Sequence, residues 1–188
     1  MKLTTLMIVS PKYQKSLPLM HMISKREREE FELGKFFECM REWLEKPKLF
    51  MSDCAANYSA LISKYFEGVK HLWCIWHVYR AWGSKAKKLL GKDAPWAFAK
   101  LIEIQKNMNK EAMIRELNIF LKKCPSEFQK YFQAYYLPSI FKWAAFNRCK
   151  TGVNVNMALE SFHRILKRDF LKSNKNFNES LSESDIKL

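Results

Sequence analysis

Along the first ninety residues the apolar positions change period several times. The runs "LTTLMIV" (3–9) and "LPLMHMIS" (17–24) are apolar or β-branched, and the turn-prone "SPKYQKS" (10–16) separates them, which predicts a β-hairpin. The period then lengthens. Ser24 stands three residues before Glu27, the spacing of a capping box, and Phe36, Phe37, Met40 and Leu44 recur at helical intervals until Pro47 ends the run. "KLFMSD" (48–53) is a short apolar run that breaks into polar residues, as a strand does on reaching a sheet edge. A helix follows from about Ala55, with Leu61, Ile62, Tyr65 and Phe66 on one face and Gly68 as its stop. "VKHLW" (69–73) predicts another strand and "WHVYRAWGSKAKKLL" (76–90) a basic helix.

From Pro95 to about Tyr136 the helical period continues, broken near "NMNK" and at Pro125, so two or three helices are expected. "FNRCKTGVNVN" (146–156) is a loop leading into a last helix, "MALESFHRILKRDFL" (157–171). Strands alternating with helices imply an α/β class, a mixed sheet with helices packed on it. The pattern divides the chain into a core (1–91), an all-helical insertion (92–146), a final core helix (147–171) and a polar, disordered tail (172–188). No internal repeat is visible.

Composition adds a partner. The 188 residues are 48% hydrophobic and 14% aromatic, enough for the core of one domain. A net charge of +14 points to a polyanion, nucleic acid ahead of a membrane surface; the plainer alternative is a basic but unspecialised surface. No apolar run approaches the ~18 residues of a membrane span. "MKLTTLMIVS" is too short for a signal peptide and lacks a small-residue cleavage site, so it reads as a strand. Five irregularly spaced cysteines make a poor disulfide framework and fit a reducing compartment.

Three local features carry candidate chemistry: Asp53, the pair Cys74 and His77, and Glu160. Asp53 falls where a strand gives way to a helix, the edge at which open α/β sheets gather ligands. A helix N-cap is the commoner use of an aspartate there. Glu160 lies opposite the apolar face formed by Phe162, Ile165 and Leu166, with Arg164 four residues on, which by itself reads as a solvated ion pair. Cys74 and His77 have half of a zinc-ligand spacing. A zinc site needs two more ligands, for which Cys149 and His163 are next in order, but their spacing matches no standard finger. The tryptophans of "KHLWCIWHVYRAW" (70–82) are expected to fill core between the sheet and the helical insertion.

Taken in order, four segments resemble blocks of the transposases of Mutator-like elements, the MULE family. "LTTLMIVSPKYQKSLPLMHMISKRE" resembles their central hairpin, and "MSDCAANYSALISKYF" the segment with the second catalytic aspartate. "KHLWCIWHVYRAW" resembles the Cys-x-x-His block, and "NMALESFHRILK" the block with the catalytic glutamate. The likeness spans about residues 2–171. It implies a ribonuclease H-like fold and an Asp-Asp-Glu site holding two Mg²⁺ or Mn²⁺ ions for DNA cleavage and strand transfer in the nucleus. Oxygen ligands suit such hard ions, and a metal pair stabilises both the attacking and the leaving oxygen of an in-line displacement. Asp53 and Glu160 are then the second and third carboxylates. Lys85, Lys87, Lys88, Arg164, Lys167 and Arg168 are expected to meet the DNA backbone.

The chain departs from that family in one respect. No aspartate precedes Asp53, and Ser10 closes the first predicted strand where relatives often have an acid. The family's first strand, the middle of its sheet, is missing, so strand edges are left to be exposed or to pair differently. A truncated gene, or a decayed or co-opted transposon fragment, is expected to be inactive in strand transfer. The alternative is a non-enzymatic DNA-binding or protein-interaction module; a homo-oligomer is compatible with either.

Overall fold

In the computed structural model the described residues are 2–10, 12, 15–24, 30–45, 47–149, 151 and 154–171. The tail at 172–188 and Glu27 of the capping box fall outside what is described, and Ser24 ends the second strand. Strands β1 (Lys2–Ser10) and β2 (Lys15–Ser24) form the antiparallel hairpin. Their register slips once, as Leu6 faces Met20 but Met7 faces Pro18. A proline has no N–H to give to a ladder, and a one-residue bulge is where a strand tolerates it.

Helix α1 (Glu30–Trp43) buries Leu33, Phe36, Phe37 and Met40, the stripe its period predicts. It packs on α2 (Ala56–Tyr65), where Leu61, Ile62 and the following Phe66 complete one core cluster. Gly68 has φ of 75°, a conformation that favours a residue without Cβ, and it turns the chain out of α2. Strands β3 (Leu49–Ser52) and β4 (Lys70–Trp73) are parallel, and α2 is the crossover that such a pair requires.

The helical insertion follows α3 (Ile75–Leu90) and comprises α4 (Ala94–Lys106), α5 (Lys110–Lys122) and α6 (Ser126–Tyr135). The breaks lie where polar and proline residues predict them. The Asn109 side chain accepts a hydrogen bond from the Ala112 N–H (2.8 Å) and caps α5, and Pro125 precedes α6. These helices and α3 enclose a second cluster centred on Trp82, whose ring meets Phe132 at 5.5 Å and Trp143 at 5.2 Å. A short helix α7 (Ile140–Trp143) and a loop lead to α8 (Met157–Ile165), which continues as a π-helical turn, Leu166–Leu171.

The molecule is therefore mixed α/β, but its strands differ from the expected single mixed sheet. The described strands form two separate two-stranded sheets, β1 with β2 and β3 with β4. The reason lies between β1 and β3. Thr5–Val9 of β1 and Leu49–Met51 of β3 line the same cavity of about 680 Å³. Consecutive residues of a strand point to opposite faces, so a cavity lined by unbroken runs of both strands follows their edges. The cavity separates β1 from β3, and no ladder among the described residues joins the two sheets. Among the described residues no helix is long and apolar enough to cross a membrane.

Candidate functional site

Because β3 and β4 run parallel, both carboxyl ends emerge on one side, and the residues that follow them meet there. The Cys74 N–H donates to the Ser52 carbonyl (2.7 Å), extending the ladder by one residue. Asp53 then turns the chain: its Oδ1 accepts a hydrogen bond from the Ala55 N–H (2.9 Å) just before α2 begins. Cys74 precedes the first turn of α3 and is fully buried. Its thiol donates to Asn156 Oδ1 (2.9 Å), and its sulfur accepts from the Asn156 N–H (3.4 Å). Asn156 in turn opens α8, which carries Glu160. His77, in the first turn of α3, places Nε2 3.7 Å from Glu160 Oε1.

One residue that no motif singled out holds this junction together. Arg148 is buried, and its guanidinium donates to the carbonyls of Trp73 (2.8 Å), Lys142 (3.0 Å) and Asn154 (2.9 Å) and to Asn154 Oδ1 (3.1 Å). It thereby ties the end of β4 to the loop that delivers Asn156 and Glu160. Burial lowers its pKa, and the neighbouring Cys74 and Tyr79 partly offset that. Only its place in a loop with three asparagines, where backbone carbonyls lack regular partners, hinted at such a role.

The charges at the site are coupled. The Cys74 side chain raises the His77 pKa most, burial opposes this, and Asp53 and Glu160 add smaller raising effects. Both carboxylates therefore act on the same imidazole, although they lie far apart in sequence. Burial alone pushes the Cys74 thiol up, but hydrogen bonding with His77 and Asn156 outweighs it, so the thiol falls below its ordinary value. His77 Nδ1 is buried without a hydrogen-bond partner of good geometry. The adjacent Cys54 is pushed up to about 12, by burial first and then by Asp53 and Cys74. Such an arrangement holds the His77 imidazole above its ordinary value, through Cys74 first, and keeps Cys54 a thiol.

The other predicted residues are dispersed. Lys85 does not project freely: its Nζ lies 4.7 Å from the centroid of the Tyr131 ring, against the helical insertion. Lys87, Lys88 and Arg164 are exposed. Arg168 is exposed and hydrogen-bonded to Asp169 (2.8 Å), and the Lys167 side chain is outside the described residues. His163 does not join Cys74. Its Nε2 meets Thr5 Oγ1 at 2.8 Å, and Thr5 also meets His21 Nδ1 at 3.0 Å, so α8 is latched to the hairpin. Cys149 is exposed with its thiol directed to the carbonyls of Ala145 and Phe146. Trp73 and Trp82 are core, as expected, but Trp76 is half exposed. The helical period explains this, because Trp76 falls outside the stripe formed by Val78, Trp82 and Ala86.

Among the described residues no three His, Cys, Asp or Glu side chains stand close enough together to hold a metal ion. Asp53 and Glu160 supply two oxygen ligands, one already bonded to a backbone N–H and the other facing His77. In this arrangement the set does not fit a pair of divalent ions. Comparison with protein-family models, curated proteins and solved structures returns no match to the chain.

Proposed function

We propose that the chain is related to the catalytic domain of Mutator-like (MULE) transposases, of ribonuclease H-like fold, that it binds DNA in the nucleus, and that these residues are inactive in strand transfer by themselves. The observation that carries the reading is that Asp53, at the end of β3, and Glu160, 3.7 Å from His77 in the first turn after β4, lie at the same carboxyl edge. The parent reaction is cleavage and rejoining of DNA assisted by Mg²⁺ or Mn²⁺, with these carboxylates as two of three ligands. The net charge of +14 supports a phosphate-rich partner. Two carboxylates are too few for a metal pair, which is why these residues are read as inactive by themselves.

A second reading, a DNA-binding module without catalysis, is favoured by the His77 to Glu160 ion pair, which occupies the glutamate a metal would need. Mn²⁺ titration followed by paramagnetic broadening separates the two. Broadening centred on Asp53 and Glu160 and lost in Asp53→Ala supports the transposase site; none at either residue supports the module. Duplex binding that weakens steeply with salt is expected in both cases, and its absence overturns both. Metal-dependent nicking abolished by Asp53→Ala overturns the claim of inactivity.

A further inference from the structure

Beside the His77 and Glu160 pair, a groove of about 1010 Å³ runs between α3 and the start of α4. One wall is a stripe of α3, Trp76, Tyr79, Arg80, Gly83, Ser84 and Lys87, recurring every three or four residues so that all share a face. The other wall is the turn at Gly91 and the residues Ala94, Pro95 and Phe98. Three observations say what fits. Trp76 is 46% exposed and lines the groove, as the more exposed Trp43 and Trp96 do not, while Tyr79 and Phe98 of the same groove meet edge to face at 6.2 Å. The two charged lining residues, Arg80 and Lys87, are both cationic, and none of the lining residues is acidic. The Arg80 guanidinium lies over the Trp76 ring, 5.4 Å from its centroid, so the cation is held on one face of a ring that is still half exposed.

An aromatic platform flanked by cations, floored by Gly83 and Ser84, suits a planar anionic ligand. We infer that this groove binds unpaired nucleotides of DNA, a base stacking on Trp76 while Arg80 and Lys87 meet the phosphates. Stacking on exposed aromatics with cations tracking the backbone is how proteins hold single strands without reading sequence. From Trp76 to Lys87 the helix advances about 16 Å, room for roughly four or five nucleotides at ~3.4 Å each. Trp76 also packs edge to face on His77 at 4.8 Å, which sets the groove next to the carboxylates. The inference rests on the DNA reading above and adds that the strand there is unpaired.

The test measures anisotropy of a labelled oligodeoxythymidylate, the matching duplex and an oligouridylate with the wild-type chain, Trp76→Ala, Trp76→Phe and Arg80→Ala. Trp96→Ala serves as a control for loss of an exposed tryptophan that the groove does not use. Trp76→Ala is expected to weaken oligodeoxythymidylate binding about tenfold, with duplex binding unchanged and Trp76→Phe retaining most of the affinity. Arg80→Ala is expected to reduce the salt slope by about 0.7. Circular dichroism checks that the variants fold, which half exposure of Trp76 makes the expected result. Wild-type binding to both DNA forms, with Trp76→Ala unchanged on the single strand, overturns the groove and leaves the DNA reading standing. Binding to neither form by the wild type overturns the DNA reading and this inference with it. Oligouridylate bound tenfold tighter than oligodeoxythymidylate overturns DNA as the occupant.

Discussion

Arg148 carries a charge into a buried position where all four of its hydrogen bonds go to neutral acceptors. Replacing it by alanine leaves the carbonyls of Trp73, Lys142 and Asn154 without this donor. Hydrogen bonds from charged groups each contribute about 1.5–3 kcal/mol, and they are not additive. We expect Arg148→Ala to cost about 3 kcal/mol in urea unfolding, with Arg148→Lys recovering little because an ammonium lacks the planar fork. A cost within ~0.5 kcal/mol removes Arg148 as the clamp. His71 gives a second prediction. Burial first, then Lys142, lowers its pKa from 6.5 to about 4, and its Nε2 pairs with Ser52 Oγ at 2.9 Å. The unfolded chain takes up the proton near 6.5 and the folded one only near 4. Stability from this group is therefore complete above pH 6.5 and lost as pH falls toward 4, by at most about 3 kcal/mol. Carboxylates titrate in the same window, so the readout is the difference between wild type and His71→Gln, which should shrink on acidification. Neither residue was legible beforehand. A buried arginine or histidine is defined by the acceptors that folding brings to it, and those come from distant segments.

Within single elements, period was the reliable guide, and α3 shows both its reach and its limit. Its apolar stripe places Val78, Trp82 and Ala86 at zero exposure and leaves Trp76 outside. Tryptophan content alone suggested that the whole segment was core, because composition counts residues where period assigns them to faces. The two tryptophans should therefore respond oppositely to truncation. Trp82→Ala opens a cavity among Phe132, Tyr136 and Trp143 and is expected to cost about 3–5 kcal/mol. Trp76→Ala is expected to stay within ~0.5 kcal/mol. Thermal or urea unfolding of the pair decides it, and equal losses contradict the assignment of faces. Helix α8 marks the limit. Glu160 and Arg164 do share an exposed side, yet the partner that Glu160 finds is His77, supplied by another helix. Helical spacing sees i to i+4 neighbours and nothing that arrives from elsewhere.

At the scale of the molecule, element order predicted four strands and their crossover, but not that they stay in two sheets. Pairing between strands depends on which edges meet, and hydrophobic pattern carries no information about that. The consequence is open to measurement. In an antiparallel pair, alternate residues direct their backbone groups to the partner and the others away from it. With β2 on one side of β1 and the cavity on the other along Thr5–Val9, every second amide of that stretch lacks a strand partner among the described residues. Amide exchange on the intact chain should then alternate along β1, protected amides exchanging through larger openings and unpaired ones near the rate of an exposed peptide. Within β2 the same alternation is expected on each side of the irregularity at Pro18 and Leu19, because no described strand pairs with its outer edge. Uniform protection along β1 overturns this picture, since it requires a strand seated in the cavity. Dependence of that protection on protein concentration identifies the strand as one from a second copy, which edge pairing permits.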